Sequence, residues 1–261
     1  MIFNVAVGAP SRPVGYFTFG GSTCRFDGQS EVNWNGCRYL PYGTFGWKMW
    51  FYNDGSSVHF DYINPNHDIY CSAVGPGGDI TEWGNYYEQN DCYGCSGAPG
   101  GGGLATSSSK LSPNANVYFA INSSITTISG NMSLSAGKGG NGLLSIDTSS
   151  GAYTGARGNA GAGNGNGSGG VGAYNGTGLI AEGTAGCDGI YLFGDGSFDG
   201  VHYGASCGGR AMQDLTGTIT AGGANSAYVG NRGSGAGWDA PNIWAGVIGS
   251  QVGIAALWYK G

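Results

Sequence analysis

Few residues of this chain have the types and spacing that acid–base chemistry requires. Its only histidines are His59, His67 and His202, and the sequence has no serine-nucleophile or zinc-protease motif. His59 and Asp61 alternate with aromatic residues in VHFDY, and alternate residues of a β-strand point to the same face of a sheet. We interpret them as a polar surface pair, with an acid–base dyad as the alternative.

A second set of carboxylates lies in the segment GGDITEWGNYYEQND. Paired carboxylates are the catalytic groups of glycoside hydrolases, and the candidates here are Asp79, Glu82, Glu88 and Asp91. Acidic residues among glycine, asparagine and tyrosine are more typical of a solvated loop. We therefore expect no catalytic residue and interpret the chain as a non-enzyme.

Two further segments contain residue types that bind metals. Asp188, Asp195 and Asp199 lie in CDGIYLFGDGSFDG, whose spacing does not match an EF-hand loop and whose Asp-Gly steps are typical of turns. Cys92 and Cys95 form CYGC, but no second pair of this spacing follows. We expect no metal and no cofactor, with Cys92 and Cys95 as weak metal candidates and buried free thiols as the favoured interpretation.

The segments that must position these residues predict an all-β fold. WKMWFYNDGSSVHFDYI predicts two aromatic-rich strands joined by a turn, and IYCSAV, VYFAI and the closing VGIAALWY predict further strands. No segment shows sustained helical periodicity. We expect an N-terminal antiparallel β region over residues 1–65 that attaches the protein to a neighbour, followed by a glycine-rich domain over residues 66–261.

Glycine dominates the second half of the chain. Of 56 glycines, 33 lie between Gly130 and Gly237, and their irregular spacing without proline excludes collagen. Tyrosine, leucine and isoleucine recur within this array, whereas disordered linkers lack such anchors. We expect a folded array of β and polyproline-II-like runs with tight turns. Exposed tyrosines are its candidate receptor contacts, namely Tyr153, Tyr174, Tyr203 and Tyr228.

Charge and hydropathy limit the classes of partner that we expect this protein to bind. Ten Lys and Arg stand against 16 Asp and Glu, so the net charge of −6 disfavours nucleic acid. No apolar run approaches the roughly 20 residues that a membrane-spanning helix needs, so we expect no membrane insertion. The N-terminal segment MIFNVAVGAPSRPVGYF does not resemble a secretory signal.

The order of the segments is itself informative. A strand ends in a glycine cluster (IYCSAVGPGG), and a GGGG turn precedes the strand VYFAI. SLSAGKGGNG then leads into the long glycine array, and VGIAALWY closes the chain. Over about residues 67–261 this order resembles the glycine-rich domain of tail fibres and baseplate proteins of tailed bacteriophages.

The resemblance implies a structural virion protein of the tail fibre, tail tip or baseplate that takes part in host-surface attachment. Such a protein is made in the cytoplasm of the host bacterium. Its implied partners are other phage tail or virion proteins and a host cell-surface glycan or protein. The resemblance also implies a homo-oligomer, with a trimer as the expectation. Two alternatives stay open: a capsid decoration or head-fibre protein, and a polysaccharide-degrading tailspike.

Overall fold

A computed structural model describes residues 12–78, 102–141, 192–193 and 252–261 in full, together with the backbone of short strands elsewhere in the chain. Every regular element within this described part is a β-strand. None of it forms a helix with the length and apolar character to cross a bilayer. In chain order the strands are β1 Val14–Phe19, β2 Ser22–Phe26, β3 Val32–Trp34, β4 Cys37–Tyr42, β5 Gly46–Phe51, β6 Ser57–Tyr62, β7 Asp68–Val74, β8 Gly84–Glu88, β9 Asp91–Ser96, β10 Leu104–Lys110, β11 Ala115–Ile121, β12 Ile125–Gly130, β13 Leu134–Gly137, β14 Leu143–Asp147, β15 Ala152–Ala156, β16 Gly172–Asn175, β17 Gly178–Ala181, β18 Ile190–Tyr191, β19 His202–Tyr203, β20 Arg210–Met212, β21 Gly237–Trp238, β22 Val247–Ile248 and β23 Ile254–Tyr259.

Two antiparallel sheets of six strands each form the main body. Sheet A has the order β13-β12-β11-β6-β1-β2, and sheet B has the order β10-β7-β23-β5-β4-β3. Buried and partly exposed residues alternate along strands such as β6 and β11, because one face of sheet A meets the other sheet. The two sheets therefore pack face to face as a β-sandwich.

Aromatic side chains from both sheets fill the space between them. Phe51 of sheet B stacks on Phe119 of sheet A with 3.7 Å between ring centres, and Phe17 meets Phe51 edge to face at 5.7 Å. Phe26 of sheet A stacks on Tyr39 of sheet B at 5.3 Å. The aromatic segments of the first third of the chain therefore supply much of the core of the sandwich.

The turn between β5 and β6 moves the chain from one sheet to the other. WKMWFYNDGSSVHFDYI forms the two predicted strands, but β5 belongs to sheet B and β6 to sheet A. Gly55 adopts a φ of 74° in this turn. The Asp54 carboxylate accepts a hydrogen bond of 2.9 Å from the Ile121 amide of sheet A. NDGSS is thus a crossover between layers and not the turn of a hairpin.

The last strand, β23, lies in the middle of sheet B. It pairs with β7 through residues 254–258 and with β5 through residues 255–259. Most of IAALWY is buried, as expected for an uninterrupted apolar strand that is covered on both faces. The predicted closing strand is confirmed, and residues 142–251 lie between β13 of sheet A and β23 of sheet B.

Smaller sheets occur within the glycine-rich sequence. β14, β15, β16 and β17 form a four-stranded antiparallel sheet in that order. A three-stranded sheet has the order β20-β9-β8, in which Ala211 pairs with Cys95. This sheet therefore joins strands of two separate segments of the chain, one that follows β7 and one that follows β13.

The predicted all-β class is confirmed for the described residues. The predicted strands IYCSAV and VYFAI correspond to β7 and β11. The boundary predicted between residues 65 and 66 falls between β6 and β7. Strands from both sides of it pair in each sheet, as β6 does with β11 and β5 with β23. The two predicted regions therefore share one core.

Replacing Phe119 with alanine should lower the free energy of unfolding by about 3–5 kcal/mol, because it removes a buried ring that joins the two sheets. The neighbouring Tyr118→Ala is the matched control. The Tyr118 side chain is 51% exposed, so its loss should change stability by no more than about 0.5 kcal/mol. Urea denaturation of both variants measures the difference, and similar losses would contradict the assigned core.

Candidate functional site

Four stretches of chain meet at one end of the sandwich. They are residues 75–78 after β7, residues 102–103 before β10, residues 137–140 at the end of β13, and Gly253 before β23. We call these stretches the glycine junction. The chain leaves the sandwich for the glycine-rich sequence, and returns to it, through this junction.

Main-chain hydrogen bonds hold the junction together. The Gly75 amide donates to the Gly103 carbonyl at 2.8 Å, and the Gly103 amide donates to the Gly137 carbonyl at 2.9 Å. The Gly139 amide donates to the Pro76 carbonyl at 2.9 Å. Pro76 interrupts the glycines without interrupting the junction, because only its carbonyl takes part.

No room remains for side chains between these stretches. A methyl group on Gly75 would overlap the carbonyl of Gly137, and one on Gly78 would overlap the carbonyl of Gly140. On Gly102 it would overlap the carbonyl of Gly75. The obstructing atoms are main chain and cannot swing aside as a flexible side chain can, so only glycine fits these positions.

An aromatic contact also joins the glycine-rich sequence to sheet B. Leu192 and Phe193 are buried against the outer face of this sheet, in one cluster with Trp50 and Trp258. The Phe193 ring meets each indole edge to face at 5.7 Å. The Lys48 ammonium lies 5.0 Å from the Phe193 ring centre, within cation–π range. Two residues of the glycine-rich half thus cover part of the outer face of sheet B.

The opposite end of the sandwich has a different character. Nε of Arg12 donates to the Gly46 carbonyl at 3.0 Å, and the main chain of Lys260 lies against Gly46 on its other side. The preceding turn presents Phe45, whose side chain is 52% exposed. We call this region the Phe45 end. The sandwich therefore has a glycine-lined end and an end with an exposed aromatic ring.

His59 and Asp61 lie together on the outer face of sheet A, as predicted. Nε2 of His59 is 3.5 Å from Oδ1 of Asp61, and Nδ1 is 2.9 Å from Oδ1 of Asn116. Arg25 pairs with Asp61 at 2.5 Å, and Tyr16 stacks on His59 with 4.8 Å between ring centres. Because both imidazole nitrogens and the carboxylate have partners, the geometry favours a polar surface pair over an acid–base dyad.

These side chains form a row across four adjacent strands. Register places Arg25 of β2 beside Tyr16 of β1, Tyr16 beside His59 of β6, and His59 beside Asn116 of β11. We call these four residues the Tyr16 row. Asp61 lies next to the row and links Arg25 to His59.

The other predicted carboxylates are not brought into a described site. Glu88 and Asp91 pair by their backbones at the turn between β8 and β9, and their side chains lie outside the described part. The remaining predicted carboxylates also lie outside the described residues, namely Asp79, Glu82, Asp188, Asp195 and Asp199.

Three of the four candidate contact tyrosines lie on strands of the glycine-rich sequence. Tyr153 of β15 pairs with Tyr174 of β16, and Tyr203 of β19 pairs with Ile190 of β18. Only the backbones of these strands are described. Tyr228 lies outside the described residues.

The described cysteines are free thiols. Cys37 and Cys71 are buried, and Cys24 is partly exposed on β2. Burial raises the pKa of Cys37 and that of Cys71 to about 11. Cys92 and Cys95 lie on β9, where only the backbone is described. In the described part, no cluster of three or more His, Cys, Asp or Glu residues is arranged to hold a metal.

Comparisons of the chain with protein-family models, curated proteins and solved structures found no match. The function must therefore be inferred from the chain's own geometry. Composition and local patterns do not predict that the glycine clusters after β7 and after β13 contact each other. The spacing of the glycines could have indicated this contact, because Gly75 and Gly78 are three residues apart and so are Gly137 and Gly140.

Replacing Gly75 with alanine should destabilise the protein by about 3 kcal/mol, the upper end of the overpacking range, because the new methyl group meets main chain. Gly20→Ala is the control. Its methyl group would enter open space, so only the φ of +56° opposes it, at about 1 kcal/mol. Chemical denaturation compares the two variants. Equal losses would contradict the steric role of the junction.

At pH 8, iodoacetamide should modify Cys24 in the folded protein at least about tenfold faster than Cys37 or Cys71, because the buried thiols form little thiolate. Peptide mapping by mass spectrometry resolves the three sites, and in urea their rates should converge. Rapid labelling of Cys71 in the folded state would contradict this.

The same two thiols should also make stability depend on pH. Burial raises each pKa from an ordinary value of 9.0 to about 11, so their contribution to stability is complete below pH 9. It should be lost as the pH rises through 11. A Cys37→Ala/Cys71→Ala variant should show a shallower decline in stability over this range, and an unchanged decline would contradict the assignment.

Proposed function

We propose that this chain is a structural virion protein of a tailed bacteriophage, in a tail fibre, tail tip or baseplate, and that it takes part in attachment to the host surface. The position of β23 carries this proposal, because the strand that follows the glycine-rich sequence completes the centre of sheet B. The sandwich thus holds both ends of the glycine-rich sequence. Rigid scaffolds that hold connecting segments in this way commonly use them for binding.

The glycine junction fixes where the displayed sequence leaves the scaffold. Residues 75–78, 102–103 and 137–140 bond to one another through their main chains. Releasing the far end of the displayed sequence would require β23 to separate from strands on both of its sides. A binding segment held at both ends has less freedom to lose when it meets a partner, which favours affinity.

The junction also supports a fold for the glycine-rich sequence. Gly75 and Gly78 are three residues apart and face Gly137 and Gly140, which are also three residues apart. A polyproline-II helix has three residues per turn, so glycines at this spacing turn one face toward a neighbouring chain. We propose that the glycine-rich sequence consists of β and polyproline-II-like runs joined by tight turns, and that the junction is where such packing starts.

The Phe45 end suits attachment to other virion proteins. Its exposed aromatic side chains are Phe45 at 52% and Tyr42 at 39%. Aromatic residues of this kind are enriched where proteins associate. In the proposed arrangement this end meets other tail proteins and further copies of the chain, with a trimer as the proposed assembly, while the glycine-rich sequence faces the host.

The proposed role is binding without catalysis. Nδ1 of His59 donates to Oδ1 of Asn116, Nε2 lies beside the Asp61 carboxylate, and Arg25 pairs with that carboxylate. None of these groups is left in place to move a proton to or from a substrate. The net charge of −6 gives no general attraction for nucleic acid. The protein would be made in the host cytoplasm and incorporated into the virion there.

Replacing the four candidate tyrosines together should reduce binding of the labelled full chain to susceptible bacteria by about tenfold or more, because rigid tyrosine side chains dominate many recognition surfaces. The variant carries Tyr153→Ala, Tyr174→Ala, Tyr203→Ala and Tyr228→Ala. Tyr70→Ala, an exposed tyrosine of sheet B, is the control and should bind normally. Flow cytometry over a panel of bacterial strains measures binding, and wild-type binding by the quadruple variant would count against these contacts.

A reconstruction of whole particles tests the proposed placement. The chain should lie at the distal tail or the baseplate. A position on the head would favour the capsid decoration or head-fibre alternative. New reducing ends released from host capsule or lipopolysaccharide by the purified protein would favour a tailspike.

A further inference from the structure

The outer face of sheet A is polar but almost uncharged. Its hydroxyl-bearing residues come from five strands, and their side chains are exposed or partly exposed: Thr18, Thr23, Ser57, Thr127, Ser129 and Tyr118. Its charged residues, Arg25 and Asp61, pair with each other. This face therefore offers hydrogen-bonding groups without a net charge that would select a charged partner.

The Tyr16 row gives this face a rigid set of polar ring edges. The Tyr16 and His59 rings stack with an angle of 26° between their planes, and the Arg25 guanidinium lies 6.0 Å from the Tyr16 ring centre. The ring faces are therefore turned toward neighbours within the row, and the edges are left for a ligand. Asn116 holds the imidazole from one side, and Asp61 lies beside its other nitrogen. Because these rings are fixed before any ligand arrives, little side-chain freedom is lost on binding.

A cavity adjoins the end of this row. Arg25, whose side chain is 69% exposed, lines a cavity of about 410 Å³. Its other lining residues are the polar Asp27 and Ser30 and the apolar Val14, Phe26 and Val32. Cavities of about 300–1,000 Å³ are typical of small-molecule sites. The Asp27 carboxylate accepts hydrogen bonds from the Gln29 and Ser30 amides, which lower its pKa, so it is ionised at neutral pH.

The chemistry of the face distinguishes between possible occupants. To bind a second copy of the chain, this face would need an apolar centre. On its described part, the exposed large hydrophobic side chain is that of Tyr118, and one such side chain does not form an apolar centre. Nucleic acid would need a basic surface. A neutral sugar presents hydroxyls around its ring, and these pair with carboxylates, guanidinium groups, amides and other hydroxyls.

We propose that the Tyr16 row and the adjoining cavity bind a neutral oligosaccharide. One sugar ring lies across the edges of Tyr16 and His59, and its hydroxyls meet the free edge of Arg25 and the neighbouring serines and threonines. A further ring occupies the cavity beside Asp27. For its biological ligand, a host surface glycan, this inference rests on the proposed attachment function.

The test is a titration of the full chain against neutral oligosaccharides. A glycan array covering neutral glucose, mannose, galactose and N-acetylhexosamine polymers, with sialylated and sulfated members as charged counterparts, selects the ligand. Calorimetry then measures affinity. At least one neutral member should bind, and binding only by charged members, or by none, would overturn the proposal.

Two variants locate the binding on this face. Tyr16→Ala should weaken binding of the selected oligosaccharide by about tenfold or more. Arg25→Gln changes an exposed side chain, leaves the fold intact and should weaken this binding severalfold. Tyr70→Ala, a stacked and partly exposed tyrosine of sheet B, is the control and should bind as the wild type does. Normal binding by both sheet A variants would overturn the assignment.

The same proteins separate this inference from the attachment function. If the wild type binds bacteria and Tyr16→Ala binds both the bacteria and the selected oligosaccharide equally well, the proposed oligosaccharide site is refuted and the attachment function stands. If the wild type binds oligosaccharide but no bacteria, the face stands and the attachment function fails.

Discussion

Contact between main chains is the constraint on which this structure depends. At the glycine junction, amides of one stretch reach carbonyls of the next, and the space that a Cβ atom would need is occupied by backbone. Ordering glycine costs more backbone entropy than ordering any other residue. The sandwich offsets part of that cost, because β7, β10, β13 and β23 hold the ends of these stretches side by side before they leave the sheets.

The two halves of the sequence contribute in different ways to one fold. Aromatic rings such as Phe51 and Phe119 bury large apolar areas and supply hydrophobic stabilisation. The glycine stretches supply almost none and instead let backbones approach closely. Phe193 is an aromatic residue of the glycine-rich half, and its ring packs against Trp50 and Trp258 of sheet B. Its ring covers strands that would otherwise expose apolar side chains.

Aromatic and β-branched runs are sufficient to predict five strands of the sandwich, since side-chain alternation is a local property of the chain; these are β5, β6, β7, β11 and β23. Pairing partners are not local. NDGSS has the residues of a hairpin turn, yet the same residues carry the chain between sheets. Long-range contacts, such as the packing of Phe51 against Phe119, distinguish the two outcomes. The contact of His59 with Asp61 follows from spacing on one strand. Its contacts with Tyr16 and Asn116 depend on the register of neighbouring strands, which single-chain patterns do not reveal. The boundary predicted at residue 65 misses the shared core for the same reason.

The central place of β23 sets the order in which the molecule can be assembled. β5 and β7 flank a gap that is filled only by residues more than 200 positions further along the chain than Phe51. During synthesis both strands therefore present unpaired edges until β23 leaves the ribosome, and such edges favour pairing with other chains. Closing so long a loop late is slow, since contacts between distant residues lower folding rates. Sheet B can therefore be completed only after the whole glycine-rich sequence has been made.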